Sequence, residues 1–166
     1  AYTWGDQFLC GEFLERLGGG AGQGEYVNCT DCATFVTTFA NILGCELWEM
    51  VLGWGFALNE MIAIGSSGFS LPCGDPAVPG SGWPAFNYHE VGWKGACSND
   101  GNVFDACLKV DGDADPTDGP PHTPLLPVNM RFAAIGELGY RDRLAAPAGR
   151  PNCEPRCNLM RRRSVA

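Results

Sequence analysis

Apolar side chains recur at helical spacing near the start of the chain. Phe8, Leu9, Phe13, Leu14 and Leu17 are separated by charged positions, which predicts an amphipathic helix over 6–17. Gly18-Gly19-Gly20 ends it, and 18–27 reads as a glycine-rich approach to the next element. Asn28 is a good N-cap, and Asp31 falls in the first turn, where the helix dipole favours a negative charge. From Cys29 to Leu43 the apolar set is Cys32, Ala33, Phe35, Val36, Phe39, Ala40, Ile42 and Leu43. That stripe is broad, so a second helix is expected to be nearly buried, with Gly44 as its C′ residue. After Gly44 the period changes. Strands are expected at 45–52 and 56–64, joined around Gly53-Trp54-Gly55, and at 86–93 and 102–110, with Asn99-Asp100-Gly101 as a turn between them. Segments 65–85 and 111–128 are rich in Gly, Pro, Ser or Asp and read as loops. Residues 129–145 should supply one strand and one short helix. Residues 1–145 then form a single domain. Residues 146–166 form a Pro/Arg-rich C-terminal tail ending in Arg161-Arg162-Arg163, solvated unless Cys153 or Cys157 pins it. This order predicts an α+β fold with helices on a mostly antiparallel sheet.

Composition narrows the function classes. The chain has 166 residues, 45% apolar and 18% charged, which is the composition of a folded domain, not a disordered one. Eleven basic against nineteen acidic residues give a net charge of −8, a poor match to a phosphate backbone, so no nucleic-acid partner is expected. No apolar run is long enough for a membrane span. No basic n-region with an apolar h-region opens the chain, as in a protein without a signal peptide or one already cleaved. Gly (23) and Pro (12) make the chain loop-rich. Nine cysteines are dense for a reducing compartment and odd in number, so at least one thiol is left over if the rest pair within the chain. Four disulfides plus one free nucleophile satisfy the arithmetic. A secreted or extracellular setting follows, and an exported bacterial effector or a piece of a larger chain or assembly is consistent with it.

The sharpest chemical signal is Asn28-Cys29-Thr30-Asp31-Cys32-Ala33 at the start of the second helix. A thiolate is the reactive form of cysteine, and a helix N-terminus favours it. His89 lies on one expected strand and Asp105 on the next, and a hairpin brings the two within cross-strand reach. If the helix packs across that sheet, Cys29 meets His89. The imidazole then takes the thiol proton, and the carboxylate orients and stabilises the ring.

These segments resemble the transglutaminase-like superfamily, the papain-like Cys–His–Asp thiol enzymes, as a distant bacterial-type member. In that pattern a Cys opens the helix, a small or acidic residue follows two later, an Ala four later and a Gly fifteen later; Cys29, Asp31, Ala33 and Gly44 match. The family's His on a strand and Asp near the end of the next are matched by Tyr88-His89-Glu90-Val91 and Val103-Phe104-Asp105. The resemblance covers roughly 26–110. It implies a papain-like core with a buried nucleophile helix. It also implies a thiol acyltransferase or hydrolase (transglutaminase, deamidase or cysteine protease type) acting on protein or peptide amides through a Cys thioester, with Cys29, His89 and Asp105 as catalytic residues. Gln23, six residues before Cys29, is the candidate side chain for the oxyanion hole beside the Cys29 N–H. Thr30 stands where an aromatic residue often follows the nucleophile, and the acceptor, amine or water, stays open.

Other readings compete. Cys29 could be half a disulfide, and Cys32 a buried thiol or disulfide partner. Cys29-x-x-Cys32 has redox-pair spacing but lacks the preceding βαβ pattern. Cys29, Cys32, Cys153 and Cys157 have zinc-ligand chemistry with poor spacing. Asp111, Asp113, Asp115 and Asp118 lack a regular calcium-loop spacing. His122 reads as a loop residue. No cofactor and no metal are expected. The alternative function is a catalytically silent, disulfide-stapled binding or assembly module.

Overall fold

Among the described residues, ten short strands and three α-helices build the fold. In the computed structural model the described residues are 1–20, 27–59, 62–63, 85–109, 131–134 and 139–166. In chain order they are β1 (Thr3–Trp4), β2 (Gln7–Phe8), α1 (Cys10–Leu17), α2 (Cys29–Ile42), β3 (Trp48–Leu52), β4 (Phe56–Ala57), β5 (Ile62–Ala63), β6 (Ala85–Phe86), β7 (His89–Lys94), β8 (Asn102–Phe104), β9 (Leu108–Lys109), α3 (Tyr140–Leu144) and β10 (Ser164–Val165). The fold is mixed α+β, with helices packed against largely antiparallel sheets. The central sheet has the order β3-β7-β8, all antiparallel, in a register that sets Leu52 opposite His89 and Trp48 opposite Trp93. Two smaller antiparallel pairs are β4-β6 and β5-β9, and β10 joins β2 in parallel at the edge of the β1-β2 hairpin.

Three local expectations shift for physical reasons. The first helix begins at Cys10, because residues 3–8 turn back as a hairpin through Gly5, at φ +56°. The strand expected over 56–64 contributes β4 and β5. The one expected over 102–110 is broken into β8 and β9 by Asp105, whose Oδ1 accepts from the Cys107 N–H at 2.7 Å and the Leu108 N–H at 3.1 Å. That side-chain-capped turn competes with the ladder. The loops expected at 65–85 and 111–128 lie outside the described residues, except for Ala85.

Helix α2 lies against β7 and β3. Its buried face is Thr30, Ala33, Thr34 and Thr37, a helical i, i+3, i+4, i+7 row of small side chains. The apolar stripe does not set this face, and Ile42 and Leu43 are exposed. Two threonine hydroxyls are satisfied within the helix, Thr34 donating to Thr30 O at 2.8 Å and Thr37 to Ala33 O at 2.9 Å, while Thr30 donates across to Glu90 at 2.8 Å. Small side chains let the helix approach the strand where Gly92 is itself bare; a Cβ there would lie 3.1 Å from Val36 Cγ1. Phe35 instead faces α1 and meets Phe13 with ring centroids 4.9 Å apart. The main core, including Met50, Leu52, Phe56, Trp93, Phe132 and Tyr140, is buried beneath the central sheet. Tyr2, Phe8 and Phe13 make a second core.

The segment 146–166 is packed structure, held by the kind of cysteine pin that the sequence left open. Cys157 is disulfide-bonded to Cys97, and Cys153 is buried. Glu49 and Arg161 exchange backbone hydrogen bonds at 2.8 and 3.1 Å. The Arg162 guanidinium lies 4.2 Å from the centroid of the Trp48 ring, a cation–π contact. The Arg163 side chain is 3% exposed and bonds to Thr34, Glu49 and Glu90.

Candidate functional site

Local sequence places Cys29 at the first position of α2. The Asn28 side chain accepts from the Asp31 N–H at 2.9 Å, and the Asp31 carboxylate accepts from the Asn28 N–H at 3.2 Å. This reciprocal cap satisfies two of the orphan donors of the helix end. Asp31 is fully buried and also takes the Tyr2 N–H at 2.6 Å and the Thr3 hydroxyl at 3.0 Å. It therefore ties the N-terminal hairpin to α2.

The hairpin β7-β8 brings His89 to Asp105 as expected from the alternation. His89 Nε2 lies 3.0 Å from Asp105 Oδ2. The ring is buried and stacks on Phe86, with centroids 5.1 Å apart and planes inclined by 12°. Tyr140, absent from the sequence reading, donates its hydroxyl to Asp105 Oδ2 at 2.7 Å. No spacing rule ties Tyr140 to Asp105; α3 brings it there. Burial would raise the Asp105 pKa, but the His89 charge and the hydrogen bonds from His89, Tyr140 and Cys107 outweigh it and hold the carboxyl below 3.8. Burial would lower the His89 pKa. The Asp105 carboxylate dominates, the Cys29 thiol beside the ring adds a smaller effect of the same sign, and the ring is held well above 6.5. Cys29, His89 and Asp105 thus share one cluster, and Cys29 is a free thiol. Gln23 lies outside the described residues, as do His122 and the acidic loop.

A second feature was missed in the sequence. A cleft of about 470 Å³ opens beside α2, lined by Thr30, Trp54, Tyr88, Glu90, Arg161 and Arg163, among others. Trp54 and Tyr88 stand at its rim, 51% and 37% exposed, with ring centroids 5.8 Å apart. At its base, Glu90 accepts from Thr30 at 2.8 Å, from Arg161 at 3.2 Å and from Arg163 at 3.1 Å. Glu49 closes the same network through Arg163. Burial raises the Glu49 carboxyl to about 7 against the pull of Arg163, with Glu90 adding to the rise. The alternation placed Glu49 and Glu90 on strands; their cationic partners come from the far end of the chain.

The acyl-transfer expectation is corrected by three findings. The sulfur chemistry that staples this fold is oxidised: Cys97 and Cys157 form a disulfide. The His89 ring is engaged through Nε2 by Asp105, and its buried Nδ1 makes no hydrogen bond. Among the described residues no group of three or more His, Cys, Asp and Glu side chains is disposed to hold a metal ion. Transglutaminase-like membership, the thioester mechanism and the assignment as a cysteine acyltransferase or hydrolase are therefore withdrawn in favour of a structural, disulfide-stapled role. The partition into four disulfides is also corrected, because Cys10, Cys29, Cys32, Cys45, Cys107 and Cys153 are free. Zinc bound through Cys157 is excluded by its disulfide. No helix among the described residues is long and apolar enough to cross a membrane. No family model matches the chain, and neither a curated protein nor a solved structure matches it.

Proposed function

We propose that the chain is a disulfide-stapled binding or assembly module for a protein or peptide partner, working without turnover in an oxidising, extracellular setting. The observation that carries this reading is the Cys97–Cys157 bond, which joins residues 60 apart in sequence and anchors the C-terminal segment to the turn after β7. Disulfides persist outside reducing compartments. The cleft with Trp54 and Tyr88 at its rim is the surface such a module offers, since exposed aromatic side chains with nearby arginine are favoured at interfaces. Cys29, His89 and Asp105 are the site residues we assign to it, a free sulfur beside a ring hydrogen-bonded to a carboxylate.

The test has two arms. Intact mass measured after incubation with a glutamine-containing protein, with and without a primary amine, should leave that protein unchanged. Deamidation, amine addition or cleavage would overturn the proposal. Replacing Cys97 and Cys157 together by Ser should cost about 4 kcal/mol in urea unfolding, from the loop-closure entropy of a chain segment this long. An unchanged midpoint would remove the stapled reading.

A further inference from the structure

The cleft beside α2 leaves one kind of polar group unspent. Both oxygens of Glu90 accept at its floor, Oε2 from Thr30 at 2.8 Å and Oε1 from Arg161 at 3.2 Å and Arg163 at 3.1 Å. Both oxygens of Glu49 accept from Arg163, one from its backbone N–H and one from its guanidinium. The buried carboxylates are therefore satisfied and have little to offer a cation. Arg161 differs. Its side chain is 36% exposed and lines the cleft, and among the described residues its guanidinium gives a single hydrogen bond, from Nη2 to Glu90. Its Nε lies 3.9 Å from Glu49, beyond bonding distance, and is unpartnered. A guanidinium carries donors only, in a planar fork, so what the cleft lacks is an acceptor. Above it the rim is aromatic and held in place. Trp54 stands at a hairpin tip between Gly53 and Gly55, at φ +61° and +64°, and the Gly55 N–H donates to Asn87 O at 2.8 Å, next to Tyr88. The Tyr88 hydroxyl lies 3.3 Å from Thr30 Oγ1, whose own proton goes to Glu90. Val51 and Leu159 add apolar surface to the lining.

We propose that the cleft binds a peptide segment carrying a carboxylate side chain close to an aromatic one, with the carboxylate on Arg161 and the aromatic ring against Trp54 and Tyr88. Hydrogen bonds from a guanidinium to a carboxylate are charge-assisted, geometrically specific and roughly twice as strong as neutral ones. A cleft of about 470 Å³ has room for two such side chains. Rings already held in place lose little freedom when a ligand packs on them. The net charge of −8 does not oppose an acidic partner, because exposed charges farther off than about 8 Å are largely screened at physiological ionic strength. The carboxylates nearest the site, Glu49 and Glu90, are each paired with Arg163. This inference deepens the binding-module reading, rests on it and names the chemistry of its partner.

The experiment titrates the full, oxidised chain with acetylated, amidated pentapeptides in which Phe and Glu stand one, two or three positions apart, and with the same peptides carrying Gln or Lys in place of Glu. Binding is read by calorimetry and by the NMR signal of the Trp54 indole. The expected result is saturable binding at one spacing or more, about tenfold weaker for the Gln peptide and weaker still for the Lys peptide. Arg161→Gln should bind the Glu and Gln peptides alike. Trp54→Ala removes an exposed ring outside the core, so it keeps the fold and should weaken the Glu peptide about fivefold; that variant and the peptide series carry the test if Arg161→Gln does not fold. Equal affinity for Glu and Gln peptides, a preference for Lys, or no saturable binding at any spacing would each overturn the inference. The peptides are then weighed. Unchanged masses without binding refute this inference alone, whereas cleavage, or conversion of the Gln peptide to the Glu peptide, refutes the binding-module reading itself.

Discussion

His89 and Asp105 each control the other's charge, and the sign of the effect differs for the two. The ring's folded pKa lies above its ordinary 6.5, so its contribution to stability is complete below 6.5 and is lost as pH rises through the raised value. The carboxyl's folded pKa lies below its ordinary 3.8, so its contribution is present above 3.8 and lost as pH falls through the lowered value. The pair therefore supports the fold most between these ordinary values. Asp105→Asn should lower the thermal midpoint most within that window and should move the His89 titration, followed by NMR, to lower pH. An unshifted His89 titration would show that the carboxylate does not hold the ring. Both residues were visible in the sequence through strand alternation. Tyr140 was not, because its bond to Asp105 spans 35 residues with no local pattern.

At the scale of the elements, α2 was the most readable. Asn28, Asp31 and Gly44 bracket it by backbone chemistry alone: a side-chain cap at one end and a left-handed glycine at φ +81° at the other. Asn28→Ala should cost about 1 kcal/mol in urea unfolding, the ordinary loss of an N-cap. No loss would mean that the Asp31 contacts hold the end unaided. The face that α2 buries was not readable. Hydrophobic periodicity favoured the phenylalanines, but close packing on Gly92 selected the threonine and alanine row, since the hydroxyls of Thr34 and Thr37 could be satisfied inside the helix and that of Thr30 by Glu90. The turn at Asn99-Asp100-Gly101 was legible, though not the reason for its glycine. A Cβ on Gly101 would lie 2.0 Å from the Trp93 indole, so even Ala is excluded there by the packed ring.

Across the whole molecule, the C-terminal segment closes on the central sheet. Glu49 and Glu90, each 1% exposed, face Arg161 and Arg163 from the C-terminal segment. Removing one member of a buried charge pair leaves the other uncompensated in a poorly solvated site. Arg163→Ala should therefore destabilise the fold by about 3–5 kcal/mol in urea unfolding. A change within about 0.5 kcal/mol, the range of an ordinary surface substitution, would instead show that the segment is a solvated appendage.

Local chain chemistry alone set the helix ends, the main turns, the mixed α+β class and the His89–Asp105 hairpin pair. Each of these depends on neighbours a few residues apart or on strict alternation. Long-range packing decided which sulfurs pair, whether the arginines are solvated or buried, which face α2 hides, and which way the His89 pKa moves. Those outcomes depend on which distant groups share a poorly solvated space, and one-dimensional spacing carries no record of that.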